Sequence, residues 1–321
     1  MNPGARPGML LTRRATLGGL LALLGLPRFT RAQAPAAEPL HVVATFSVVG
    51  DLAQAVGGDT IQLTTLIGPG VDAHTYDPSP ADLAMLEQAD VIVENGLGFE
   101  PWLDNFLDST SFQGERIVAS DGIAPRHADE TEHDEEAHDE EHDHGGDDPH
   151  VWHSVPNVIV MVENIRDGLQ AADPDRAAAY EASAAAKIAD LQDLDAWVRE
   201  QVATLPEERR KLVTSHDTFG YFADTYGFEI IGTALGSLST EAGDPSARQI
   251  AQLVAQIRET GVPAIFAENV SNPDLMEAIA TEAGVALAPP LYSDALGAPG
   301  TPGDTYDGMM RSNVDTIVQA L

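Results

Sequence analysis

Between residues 173 and 205 the chain is dominated by Ala, Glu, Asp, Lys and Leu, with Pro174 placed for a first helical turn and Pro206 for a stop. That composition predicts one long helix. Some thirty residues at 1.5 Å each would reach roughly 45 Å, more than one domain requires, so the helix is read as a beam joining two lobes. The competing reading is a helix pair broken near Asp190. Either way, the rest of the chain must fold as two bodies about this run.

Both flanks alternate strand and helix. Before the run, apolar stretches at 41–49, 61–67, 91–94 and near 116–119 read as strands. Helices are expected at 48–56, at 80–88 behind the cap Ser79 with Asp82 in its first turn, and near 101–107. After it, strands are expected at 211–214, 229–232, 264–268 and 285–287, with helices at 219–226, 246–259, 273–283 and 305–321. Strands alternating with helices imply parallel sheets covered on both faces, an α/β fold of two (β/α) lobes. The expected bounds are 35–172, the beam 173–205, and 206–321. Ligands of open α/β sheets lie beyond the carboxyl ends of the strands, so the cleft between the lobes is the expected site.

Thr12, Arg13 and Arg14 precede an apolar run from Leu17 to Leu26, and Ala32-Gln33-Ala34 follows as a small-residue cleavage site. Residues 1–34 are therefore expected to be a signal peptide, with paired arginines that fit the twin-arginine route and a periplasmic destination. The run is about half of the roughly 20 residues a membrane span needs. Cysteine is absent, which excludes disulfides, thiolate metal sites and a lipidated cysteine from this sequence. Lys+Arg 17 against Asp+Glu 51 give a net charge of -34, which repels nucleic acid and anionic membranes and attracts cations. Solubilising surface chemistry accounts equally well for the acid excess outside one tract.

That tract, residues 126–149, is nearly free of apolar residues and sets His127, His133, His138, His142 and His144 among acidic residues. Such a composition does not fold alone. A purely solvated acidic segment is one reading; the repeated imidazoles favour another, a mobile loop with weak, labile, multi-site zinc binding that gathers or senses the ion.

Four stretches each place a metal-ligating side chain beside turn-forming or strand-ending residues: "GVDAHTYDP" with His74, "DPHVW" with His150, "TSHDTF" with His216, and "PLYSDAL" with Asp294. With "STEAGDPSARQI", "IFAEN" and "YDGMMRSNVDTI", these stretches make the chain resemble, from about Leu40 to Leu321, the metal-binding solute receptors of ABC transporters that import zinc or manganese. The resemblance implies two lobes bridged by one long helix and a metal site in the cleft formed by His74, His150, His216 and Asp294. Three imidazoles and one carboxylate make a tetrahedral N3O set suited to Zn2+. Manganese receptors of the family usually carry a glutamate where His216 stands, which favours zinc, the manganese receptor being the alternative. Asp294 competes with a reading as a helix N-cap, water then taking the fourth position. Asp217 and Glu268 are expected to orient imidazoles from behind, while His41 and His153 are expected to be surface or satisfied core residues.

The function expected is capture of Zn2+ in the periplasm and delivery to an ABC-transporter membrane permease by a monomer, without catalysis or nucleic acid. A periplasmic metallochaperone is a further partner. The alternatives are a zinc buffer or chaperone without a transporter and, less favoured for want of a general base, a zinc hydrolase.

Overall fold

Leu40–Phe46 forms strand β1, whose last five residues are buried, as a strand covered on both faces should be. This computed structural model describes residues 38–110, 112–127, 146–241 and 243–321; the expected signal peptide and His133, His138, His142 and His144 lie outside them. Helix α1 (Ser47–Gly57), β2 (Ile61–Ile67), α2 (Pro80–Glu87), β3 (Val91–Glu94), α3 (Pro101–Ser109) and β4 (Glu115–Val118) follow. The four strands make one parallel sheet in the order β2-β1-β3-β4, with Val42 opposite both Leu63 and Val91. Helix α2 starts where the sequence signals it: Ser79 Oγ accepts the N–H of Asp82, whose carboxylate accepts the N–H of Ser79.

The chain crosses between the strand groups through two helices, the second of which answers to the expected beam. Helix α4 (Val155–Ala172) leads through a single 3-10 turn at Pro174–Arg176 into α5 (Ala177–Val202). Helix α5 is unbroken at Asp190 and about 39 Å long at 1.5 Å per residue. It buries Tyr180, Ala184, Leu191, Leu194, Val198 and Val202 along one stripe and packs against α1, α4 and the last helix, α9 (Tyr306–Ala320). The sequence reading has no counterpart to α4, because its opening run Val-Pro-Asn-Val-Ile-Val-Met-Val is rich in β-branched residues that suit a strand. What makes it a helix is a single buried face, Val155, Val158, Met161, Val162, Ile165 and Leu169.

The second strand group comprises β5 (Lys211–Thr214), α6 (Gly220–Tyr226), β6 (Glu229–Thr233), α7 (Ala247–Thr260), β7 (Ala264–Glu268), α8 (Asp274–Ala283) and β8 (Ala286–Leu291). Its plan is not a repeat of the first. The strands pair as two parallel ribbons, β5-β6 and β7-β8, each with a register shift. At the seam between β5 and β7 a side chain replaces the ladder: Glu268 Oε1 accepts the N–H groups of Ser215 and His216 at 2.9 and 3.1 Å. Residues Glu38–Leu321 pack as one compact unit. Among the described residues no helix is long and apolar enough to cross a membrane.

Candidate metal centre

Two of the four candidate ligands are set by the same short device. In Asp72-Ala73-His74, after β2, Asp72 Oδ1 accepts the N–H of His74 at 3.0 Å; in Asp148-Pro149-His150, Asp148 Oδ1 accepts the N–H of His150 at 3.0 Å. An aspartate two residues ahead of a histidine closes a turn on its own backbone and fixes where the imidazole emerges. Asp148 does more, since the same oxygen lies 2.8 Å from His150 Nδ1, which leaves Nε2 as the outward donor atom. His150 stands at a proline turn before α4 rather than at a strand end, held from below by Asn95, whose side-chain N–H donates to Pro149 O at 2.8 Å. Asn95 is fixed in turn by buried Glu100, which accepts the N–H groups of Asn95 and Gly96 and the Thr45 hydroxyl; burial pushes that carboxyl up to about 7.

The other two ligands leave strands β5 and β8. His216 is buried, its Nδ1 2.5 Å from Glu268 Oε2 and its Nε2 3.0 Å from Asp294 Oδ2. Asp294 is no helix N-cap: Oδ1 accepts the Thr218 hydroxyl at 3.1 Å, and Oδ2 has no hydrogen-bond partner among the described residues. Its loop is pinned through Ser293, whose carbonyl accepts the Trp152 indole N–H at 3.0 Å and whose N–H donates to Asn269.

The structure brings His74, His150, His216 and Asp294 together, with one donor atom from each all within 4.8 Å of one another. His74 Nε2 lies 3.3 Å from His150 Nε2 and 3.5 Å from Asp294 Oδ2. A regular tetrahedron with bonds of 2.0–2.1 Å has edges of about 3.3–3.4 Å. These two edges and the 3.0 Å His216–Asp294 edge sit close to that value, and all four donor atoms lie within 4.8 Å of one another, a grouping able to hold one divalent ion. Phe99 meets the His74 and His150 rings edge-on, centroids 5.0 and 6.1 Å away, and Trp152 walls His150 at 5.3 Å. In this apolar wall the charges act on one another strongly. Burial alone opposes charge on His216, but Glu268 and Asp294 overcome it and hold its pKa well above the ordinary histidine value. Burial likewise opposes charge on Asp294, yet His216 and the other imidazoles hold it well below the usual carboxylate range.

The remaining candidates fall elsewhere. Asp217 was expected behind an imidazole, but its Oδ2 faces Arg126 at 3.8 Å and its backbone N–H is held by Ser237 O; Asp148 instead stands behind the His150 ring. Glu268 does stand against His216. His127 is exposed, its Nδ1 2.8 Å from Asp147, and the two residues form an antiparallel bridge at the neck of the acidic tract. His41 is exposed, whereas His153 is wholly buried beside Phe219 with neither ring nitrogen hydrogen-bonded among the described residues, neither a surface nor a satisfied core residue. Burial, with nearby His150, lowers its pKa to about 3. Arg126 was not singled out from the sequence: it lies 3.4 Å from Asp148 and 3.4 Å from Asp224, across α6 at Gly220, where a Cβ would come within 2.5 Å of its guanidinium. The signal available for Asp72 and Asp148 was the shared Asp-x-His spacing; for Arg126 it was its place at the boundary of the tract.

Residues 42–320 match the family described as zinc-uptake complex component A, periplasmic. The chain is 36% identical over 285 residues to the manganese-binding lipoprotein MntA of Halalkalibacterium halodurans, covering 88% of this chain and 89% of that protein. It is 32% identical over 284 residues to the iron-binding protein YfeA of Yersinia pestis, with 88% and 86% covered. The fold superposes on the periplasmic zinc binding protein TroA of Treponema pallidum with a TM-score of 0.77 at 33% identity, over 88% of this chain and 99% of that one. With its buried three-histidine, one-aspartate cluster and its parallel α/β fold, the chain belongs to this family of metal-binding substrate-binding proteins of ABC transporters.

Proposed function

We propose that His74, His150, His216 and Asp294 bind one divalent cation as cargo, with Zn2+ the preferred ion, and that the protein delivers it in the periplasm to the membrane permease of an ABC importer. The observation that supports this most is Asp294 Oδ2, a buried carboxylate oxygen without a hydrogen bond among the described residues, set 3.0 and 3.5 Å from the Nε2 atoms of His216 and His74. With Oδ1 taken up by Thr218, the set offers three imidazole nitrogens and one oxygen, a borderline, low-coordinate shell that suits zinc better than the oxygen-rich shells manganese prefers. Manganese is the second reading, supported by the 36% identity to proteins named as manganese-binding. In the proposed division, residues 35–172 and 206–321 each contribute two ligands across the beam 173–205, in a monomer exported with loss of residues 1–34. A carboxylate in the fourth position leaves no place for an activated water, which weighs against a hydrolase.

The test is competitive zinc and manganese titration with metal counting on residues 35–321, on His216→Ala, and on a variant lacking residues 128–145. That deletion spares Arg126 and Asp147, which the fold uses. Expected is one tight site that prefers zinc, kept by the deletion and lost in His216→Ala. Tight binding that disappears with the deletion instead would make the chain a His-tract buffer, and preference for manganese would reverse the choice of ion. Stimulation of ATP-driven zinc uptake in vesicles holding the cognate permease tests delivery, against a stand-alone buffer or a protein loaded by a metallochaperone.

A further inference from the structure

One segment outside the ligands touches the supports of two of them from opposite sides of the cleft. After β6, Leu235 N–H donates to Ser215 O and Asp217 N–H donates to Ser237 O, both at 2.9 Å, so the segment is fastened on either side of His216. Ser239 N–H then turns back to Ser237 Oγ at 3.0 Å. At Thr240 the hydroxyl donates to Asp72 Oδ2 at 2.6 Å, a bond between residues 168 apart in the chain. The other oxygen of that carboxylate already holds the backbone N–H of His74. A continuous set of contacts thus runs from the His216 loop, along residues 237–240, through Asp72, to His74, and uses none of the donor atoms.

His74 is where such a strap would matter. The side chains of His150, His216 and Asp294 are 0% exposed, while that of His74 is 8% exposed. Of the four ligands His74 alone keeps any exposure, so a contact that fixes its loop bears on the side of the cluster nearest to solvent. A hydroxyl-to-carboxylate bond of 2.6 Å is charge-assisted and stronger than a neutral one. It adds to the backbone bond from Gly70 N–H to Leu296 O at 2.9 Å, which ties the same loop across the cleft.

We propose that Thr240 is a positioning residue that holds the His74 loop closed through Asp72 and thereby sets how fast the bound cation escapes. The proposal rests on the ligand assignment above. Removing the hydroxyl leaves Asp72 on the His74 N–H and leaves all four ligands intact, so capture proceeds as before while opening becomes easier. The change therefore belongs to the dissociation rate.

The experiment is stopped-flow zinc exchange into excess chelator, with association measured separately, for the parent chain and for Thr240→Val, Thr240→Ala, Thr240→Ser and His216→Ala. Expected are dissociation about tenfold faster in both Thr240→Val and Thr240→Ala, association within about twofold of the parent, and recovery of the slow rate in Thr240→Ser. Parental dissociation in both hydroxyl-free variants overturns the proposal, as does an equal change in the association rate. If tight zinc binding survives in His216→Ala, the ligand assignment has failed; if His216→Ala loses the ion while Thr240→Val and Thr240→Ala release it at the parental rate, only the strap has failed.

Discussion

Glu268, the last residue of β7, grips the His216 loop twice: Oε1 accepts the N–H groups of Ser215 and His216, and Oε2 lies 2.5 Å from His216 Nδ1. One carboxylate therefore sets both the backbone and the ring of a candidate ligand, and its negative charge is a main reason that imidazole favours a positive state. Glu268→Gln keeps the size but not the charge. Zinc affinity at neutral pH is expected to fall about 10- to 100-fold, the range for loss of such a support. Because His216 then holds a proton less firmly, loss of metal on acidification should also begin at a lower pH than in the parent. Isothermal titration at several pH values checks both, and an unchanged pH dependence would remove Glu268 from this role.

The proton and the metal compete for the same atoms. With the His216 pKa raised well above the ordinary value, the metal-free site binds a proton there that an incoming cation must displace. Zinc affinity should therefore rise steadily with pH across the neutral range and continue to rise above pH 6.5. The metal-free protein should behave oppositely. A raised folded pKa gives stability that is complete below the unfolded value near 6.5 and is lost as pH rises through the folded value. Asp294, depressed in the fold, contributes stability above its unfolded pKa near 3.8 that is lost as pH falls. Melting curves with and without zinc from pH 5 to 9 should show the stabilisation by metal widening toward alkaline pH; a constant gap would contradict the competition.

The strand and helix alternation was legible because each element carries its own signal, as with the Ser79 and Ser246 capping boxes and the β-branched run of β3. What escaped were features fixed by partners far away in the chain. Helix α4 looks locally like strand, and only burial of one face against α5 and β4 makes it helical. The split of the second sheet was hidden because the group at its seam, Glu268, is a side chain whose target lies more than fifty residues away. The ligand residues stood out through short motifs, whereas the tract boundary at Arg126 and the STEAGDPSARQI stretch that holds Thr240 do not show which distant carboxylates those two side chains reach.

His153 contains two buried polar atoms with no hydrogen bond among the described residues. Removing unsatisfied groups while keeping the ring stacked on Phe219, 4.4 Å away between centroids, should stabilise the fold by about 1–3 kcal/mol. His153→Phe is expected to raise the melting temperature and leave zinc affinity within about twofold. The gain should grow in acid. The folded pKa near 3 lies below the unfolded 6.5, so the parent loses stability as pH falls between those values and the phenylalanine variant does not. Urea denaturation at pH 7.5 and 5 measures the difference.

Arg126 places one guanidinium among carboxylates that flank ligands on both sides of the cleft: Asp148, which holds His150, at 3.4 Å, and Asp217, which follows His216, at 3.8 Å. Tyr221 closes the same knot, accepting the Arg126 N–H at 2.8 Å and donating to Asp148 O at 3.0 Å. In Arg126→Met the fully buried Asp148 loses a cationic neighbour, so the metal-free protein should be destabilised, by about 3 kcal/mol if the pair behaves as a buried one and less because Arg126 itself is 17% exposed. A divalent ion on His150 restores positive charge on the far side of the same carboxylate and should recover much of that loss. The expected result is a lower melting temperature without zinc and a larger rise on adding it than in the parent. If the rise is unchanged, Arg126 serves the fold alone, and the charge around the His150 support is insensitive to it.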